Sequence, residues 1–345
     1  MRGAREAPLE ALEAALHAGW SASRAVLAEI AAAARAMPAG GPAASAADLL
    51  LDGYAARAAA GYPAAVPLLR RAVALLRADD LSPQAGLRRL GLGCNSAADL
   101  FDDQAQHALA IRWVQLARDQ GALTALPAAL NFQSVFAEAA AGRFDAARAC
   151  FTEASEIMAA TGNPGIVGTA GIAEGYELAW RGREMDARRV AAAVTREATG
   201  AGRSGLSLFA QYCLAVLELG LGNYQAALQY LLDGYQDDGP ILSALVLPDL
   251  VVAAARCGQT ELAEAALGRL AERALAAGTP LALGLLARSR ALLARDADAE
   301  ALYYQAIGHL NQCRAEPQLA RAHLLYGEWL RPSTTTCGRC SGRPA

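Results

Sequence analysis

Gly222-Asn223-Tyr224-Gln225-Ala226-Ala227-Leu228 ends one apolar run, Leu206 to Leu221, and opens another, Gln225 to Tyr235. Glycine suits the left-handed residue that closes a helix, and a small residue five places on lets two helices cross closely. Gly142-Arg143-Phe144 leads in the same way to Ala147, Gly182-Arg183-Glu184 to Ala187 and Gly258-Gln259-Thr260 to Ala263. Weaker copies start at Gly61, Asp102 and Asp296 and end on Val66, His107 and Ala301. The seven starts lie 41, 40, 40, 40, 36 and 38 residues apart. Two helical runs per unit at this spacing predict an all-α superhelical solenoid of helix-turn-helix hairpins, with a period of about 40 residues.

The composition agrees with that class. The chain is 54% hydrophobic, and alanine, the best helix former, dominates that share. No alternating run of β-branched residues is long enough to predict a sheet. Every basic residue is arginine, but acidic and basic residues are interspersed at a net charge of −3. No basic face therefore advertises nucleic acid, and no direct nucleic-acid binding is expected. The most apolar windows, Leu206–Leu221 and Ile241–Ala255, are too short to span a bilayer and carry Gln211 and Glu218, or Pro248 and Asp249. No membrane association is expected, and the first residues lack the apolar core of a signal peptide. Seven cysteines, single apart from Cys337 and Cys340, make no disulfide framework, so a reducing cytoplasm fits.

In chain order, residues 1–37 read as an N-terminal helical pair (8–19 and 22–36), and 38–45 as a Pro/Gly linker. The array fills 46–331. Its A helices are predicted near 46–60, 84–100, 127–141, 165–181, 205–221, 243–257, 280–294 and 317–330. The B helices are predicted near 63–77, 104–120, 144–161, 185–199, 225–236, 260–276 and 299–313. Prolines support this phasing: Pro83, Pro127, Pro164, Pro248, Pro280 and Pro317 lie within about one turn of an A-helix start, where a missing N–H is harmless. One hairpin cannot cover its own apolar stripes, so neighbouring hairpins are expected to stack.

Gly222-x-Tyr224-x-x-Ala227-Leu228 resembles the second half of a tetratricopeptide repeat, lengthened from that motif's period of about 34 residues. Longer phrases resemble another family. They include Ala47-Asp48-Leu49-Leu50-Leu51-Asp52-Gly53, Leu116-Ala117-Arg118-Asp119-Gln120-Gly121-Ala122-Leu123, Leu126-Pro127-Ala128-Ala129-Leu130-Asn131 and Glu328-Trp329-Leu330-Arg331. Together they are similar to the helical region of large ATP-binding LuxR-family transcription regulators of actinobacteria. That resemblance implies a sensing or protein-interaction scaffold with a protein or peptide partner, or a small effector. In the family an ATPase module precedes this region and a helix-turn-helix DNA reader follows it. No Gly-x-x-x-x-Gly-Lys-Ser/Thr loop exists here, since the chain has no lysine, and 332–345 shows no recognition helix. Neither activity carries over. The tail 332–345 is expected to be disordered and the product of a reading-frame break. The preceding helix would then lack a partner and expose an apolar face prone to self-association. The rival expectation is a freestanding tetratricopeptide-type adaptor that binds peptides or partner proteins.

No catalytic constellation assembles. Cys337 and Cys340 have only His309, Cys313 and His323 to complete a zinc site, and no metal or cofactor is expected. His107 reads as a packing variant of the small turn residue. Asp79-Asp80, Asp102-Asp103 and Asp237-Asp238 read as solvated caps. An enzyme is not expected. What remains is an aromatic ladder at the 40-residue offset: Phe132, Ile172 and Tyr212 in one register, Phe136, Tyr176 and Val216 in the next, with Trp180 in a third. Phe132, Phe136, Tyr176, Trp180, Phe209 and Tyr212 are the candidate lining of a ligand or peptide groove. The plainer reading is seam packing between A helices, since aromatic stripes at helical spacing usually belong to a core.

Overall fold

The recurring glycines stand at helix ends in the computed structural model, which describes residues 2–17, 24–36, 44–78, 81–162, 167–200, 204–294 and 296–331. The Pro/Gly stretch 38–43 and the tail 332–345, with Cys337 and Cys340, lie outside the described residues. Gly142, Gly182, Gly222 and Gly258 all have positive φ, between 67° and 77°. In each case the next residue's N–H reaches back five residues, as Asn223 N does to Glu218 O at 2.8 Å. This is the closing geometry of a Schellman turn. At the end of α5 (Pro83–Asp99), Phe101 occupies the same seat with φ 54°, and Asp102 N reaches Ala97 O at 2.9 Å. The turn in that unit therefore lies one residue earlier than the sequence spacing predicts.

The described residues form seventeen α-helices and no strand. An N-terminal pair, α1 (Arg2–His17) and α2 (Arg24–Arg35), precedes α3 (Ala46–Ala60) and α4 (Tyr62–Arg77). Next come α5, α6 (Asp103–Asp119), α7 (Leu126–Gln133), α8 (Phe144–Thr161), α9 (Val167–Trp180) and α10 (Glu184–Gly200). The chain continues through α11 (Ser204–Leu221), α12 (Tyr224–Asp237), α13 (Leu242–Arg256) and α14 (Thr260–Ala277). It ends with α15 (Pro280–Leu293), α16 (Asp296–Leu310) and α17 (Glu316–Trp329). Ser82 and Thr279 cap α5 and α15 just before the prolines that start them.

Three departures from the expected bounds have physical causes or consequences. First, α1 starts at Arg2 and runs through Pro8. It is held by Leu9 and Leu12, both buried, and by Arg89 of α5, which pairs with Glu6 at 2.6 Å and Glu13 at 2.9 Å. Second, α7 passes at Ser134–Ala139 into a π-helical turn, where Ala140 N bonds Val135 O, five residues back. Ser134 Oγ, buried there, donates to Ala147 O of α8 at 2.7 Å. Third, α16 begins at Asp296 and not at 299. The second helices of the hairpins thus begin at 62, 103, 144, 184, 224, 260 and 296.

Their fourth residues are Ala65, Gln106, Ala147, Ala187, Ala227, Ala263 and Ala299. Each alanine is no more than 1% exposed, because the partner helix crosses on it. Close crossing recurs at Gly284 of α15, where an added Cβ would lie 2.7 Å from Leu310 Cγ of α16.

Each helix packs on the next, and odd-numbered helices from α7 to α17 also touch the next odd one. They form the inner layer, so α13 is buried along most of its length. The chain then returns to itself: α13 meets α5 and α14 meets α4. At this joint Arg57 pairs with buried Asp99 at 2.8 Å, while Asp99 Oδ1 accepts Ile241 N at 3.4 Å. Arg273 of α14 pairs with Asp238 at 2.5 Å, and Arg57 and Arg273 both sit over the Tyr62 ring, at 5.2 and 5.3 Å. Thr279 Oγ1 donates to Phe101 O at 2.9 Å, and Arg314 N to Asp103 Oδ2 at 2.6 Å. No described helix is long and apolar enough to cross a membrane.

Candidate functional site

Between the end of α5, the start of α6 and the start of α17, the inner helices leave a chamber. It offers about 80 Å³ to the centres of water-sized molecules. Its wall is drawn from Ala98 to Gln318. Phe101 and the start of α6 supply one side, the π turn supplies Phe136 and Ala137, and α9 supplies Tyr176 and Trp180. Ile241, α13 and α15 add Leu245, Pro248 and Leu285, and residues 314–318 close it. The π turn adds a residue's worth of slack to its helix, a feature common at binding sites. Phe136, Ala137 and Ala140 from that turn all reach the chamber.

The six aromatic residues singled out from the sequence belong to one hydrophobic core and form two ring groups within it. Phe132 lies between Trp113 (6.5 Å between ring centres) and Phe136 (4.5 Å), and Phe136 meets Phe209 edge-on at 6.5 Å. Tyr176 stacks on Tyr212 at 6.2 Å and meets Trp180 edge-on at 6.3 Å. Phe136, Tyr176 and Trp180 line the chamber; Phe132, Phe209 and Tyr212 are buried behind it. Arg321 of α17 lies over the Trp180 ring at 4.6 Å.

Beneath these rings runs a buried polar network. Asp249 of α13 accepts Tyr212 Oη at 3.1 Å and Arg321 Nη1 at 2.8 Å. Arg288 of α15 is fully buried, with Nη1 on Gln318 Oε1 at 2.7 Å and Nη2 3.9 Å from Asp249. Burial, and then the neighbouring Arg321, pull the Arg288 guanidinium down to about 10, so it stays charged at neutral pH. Burial and Asp249 push the Tyr212 phenol well up. Two cations thus share one carboxylate, which makes Asp249 the pin between α11, α13, α15 and α17.

The polar part of the chamber wall was not legible in the sequence. Asp103, Gln106, His107, Arg314 and Gln318 line it. Gln106 is 7% exposed, and its Nε2 is buried with no hydrogen-bond partner. His107 Nδ1 is likewise buried without a partner. Burial, then Arg314 and Arg143, hold the imidazole below its ordinary pKa against the pull of Glu138, so it is neutral at pH 7. Burial raises the Asp103 carboxyl, opposed by the Arg314 N–H. The one signal that could have drawn attention to Gln106 is its place in a column of alanines, but the sequence spacing puts Val66, His107 and Ala301 where the structure puts Ala65, Gln106 and Ala299. The described residues hold no group of three or more side chains suited to a metal ion. No family model matches the sequence, and no curated protein matches it.

Proposed function

We propose that the chain is the effector-sensing scaffold of a regulator. In this reading it is a tetratricopeptide-like solenoid whose inner helices wind round until α15–α17 close over a chamber for a small effector. The observation that carries the reading is the span of the chamber wall, from Ala98 to Gln318. A molecule held there touches α5 and α6 on one side and α13, α15 and α17 on the other, so occupancy biases how firmly the joint at Asp99, Arg57 and Arg273 closes. Flanking parts of a regulator would read that closure. The phrases similar to the helical region of LuxR-family regulators favour this role over catalysis. Neither ATP hydrolysis nor DNA reading belongs to the proposal.

A small effector suits the site better than a peptide. Pro317 and Gln318 of α17 already close the chamber, and about 80 Å³ falls below the roughly 300–1,000 Å³ of sites for drug-sized ligands. Hydrogen exchange in the presence of a small-compound library tests the reading. A true effector slows exchange in α5, α13 and α17 together, and Ala244→Leu, which fills the chamber, abolishes the effect. Protection confined to one helix, or unaltered by that variant, refutes it.

A partner-protein adaptor is the second reading, favoured by one observation. Tyr304, Leu324 and Leu330 are more than half exposed at the end of the array, beside Trp329. Leu324→Ser with Leu330→Ser would abolish partner binding or self-association under that reading, and would leave effector-dependent exchange intact under the first.

A further inference from the structure

We infer that the chamber takes an uncharged, ring-sized, mostly apolar compound bearing one hydroxyl or carbonyl group, and that Gln106 pairs with that group. The inference rests on reading the chamber as an effector site and names the chemistry of what it holds. Packing does not ask for glutamine at this position. Six of the seven hairpins place alanine there, buried to 1% or less, and the one that departs does so in α6, the second helix of its hairpin, which lines the chamber. The departure leaves Nε2 buried with no partner in the protein. A buried amide N–H left unpaired is destabilising, and a bound acceptor oxygen relieves it. Nε2 donates, and the oxygen of either a hydroxyl or a carbonyl can accept from it.

Charge and size narrow the class. Asp103 and Arg314 are the charged residues lining the chamber, one of each sign, and His107 is neutral. The two give the wall no net charge, so an ionised ligand would lose its water to walls such as Phe136, Leu245 and Leu285 with no net attraction in return. Arg288 and Arg321 do not supply that attraction, because both already share Asp249 and neither lines the chamber. A volume of about 80 Å³ exceeds the roughly 10–15 Å³ that one water needs and is about half the roughly 150 Å³ of a cavity that holds benzene, so one ring is the upper limit.

Phenol, toluene and benzoate separate the possibilities, since the first two are nearly isosteric and the third is an anion. Dissociation constants are measured by ligand-observed NMR on the full chain, for wild type, Gln106→Leu, Gln106→Ala and Ala244→Leu. Phenol should bind about tenfold tighter than toluene, with benzoate weakest. Gln106→Leu should bring phenol down to the level of toluene without weakening toluene. Gln106→Ala, the residue of the other hairpins, gives the same loss of preference should the leucine variant fold poorly. Equal binding of phenol and toluene, a phenol preference that survives both substitutions, or tightest binding of benzoate overturns the inference while leaving the chamber a binding site. If none of the three binds, or Ala244→Leu leaves binding unchanged, the effector-site reading falls with it.

Discussion

Gly222 and Gly220 sit two residues apart and should respond to alanine with opposite signs. Neither would bring a Cβ within 4 Å of another group, so packing drops out of the comparison. Gly222 has φ 77°, where a Cβ meets the following carbonyl, and Gly222→Ala should cost about 1–2 kcal/mol. Gly220 lies within α11, and Gly220→Ala should stabilise by about 0.5–1 kcal/mol. Thermal melts of the two variants check this; a shift of the same sign in both refutes the left-handed role of Gly222. His107 offers a second test at this scale. Its folded pKa lies below the ordinary 6.5, so the unfolded chain binds the proton more readily. The histidine's contribution to stability therefore falls as pH drops through 6.5 and levels off below the folded pKa. Wild type should lose more stability than His107→Gln between about pH 7.5 and about pH 5.5, with Asp103, Glu138, Arg143 and Arg314 common to both proteins. A constant difference across that range would show that the imidazole is not desolvated.

Helix boundaries were the most legible part of this chain, because glycine and proline act locally: α3, α8 and α14 begin and end within two residues of where their punctuation predicts. The unit around Phe101 was misread by one residue because a phenylalanine took the seat of a glycine, which no propensity announces. Likewise the π turn at Ser134–Ala139 depends on Ser134 meeting the Ala147 carbonyl of α8, a tertiary contact without local trace. The aromatic side of the chamber was readable as a 40-residue ladder, whereas its polar side comes from helices far apart in sequence. Asp249 shows what such helices share. Asp249→Ala would strand the guanidiniums of Arg288 and Arg321 inside the inner layer and should cost about 3–5 kcal/mol. Arg288→Met removes a buried cation whose Nε has no partner, and should cost less than about 1 kcal/mol. Chemical denaturation ranks the two, and a larger loss for Arg288→Met would mean that Arg288, not Asp249, pins α15 to its neighbours.

In the proposed solenoid, a stack of hairpins has no intrinsic reason to close, since each unit needs only its neighbours. Closure here depends on a few long-range contacts, and Asp99 anchors one group of them, since its partner Arg57 also reaches Asp238 O and Ser243 Oγ. Asp99 is fully buried, and it receives Arg57 and the N–H of Ile241, a β-branched residue held at φ 66°. Asp99→Ala would leave Arg57 and Arg273 crowded over Tyr62 with Asp238 as the remaining acid named at the joint. The expected cost is about 3 kcal/mol, but its distribution is the sharper test. Helix content by circular dichroism should stay near wild type, because every hairpin keeps its own core. Hydrogen exchange should quicken in α4, α5, α13 and α14, and the radius of gyration from small-angle scattering should rise as the joint opens. Arg118→Ala supplies the control: its pair with Glu153 at 2.7 Å joins α6 to α8 at the surface, with side chains 50% and 40% exposed. That loss should be under about 1 kcal/mol, with no change in exchange at the joint. If Asp99→Ala instead quickened exchange evenly along the chain, closure would be a product of the global core and not of the joint, and a ligand in the chamber would have no separate motion to bias.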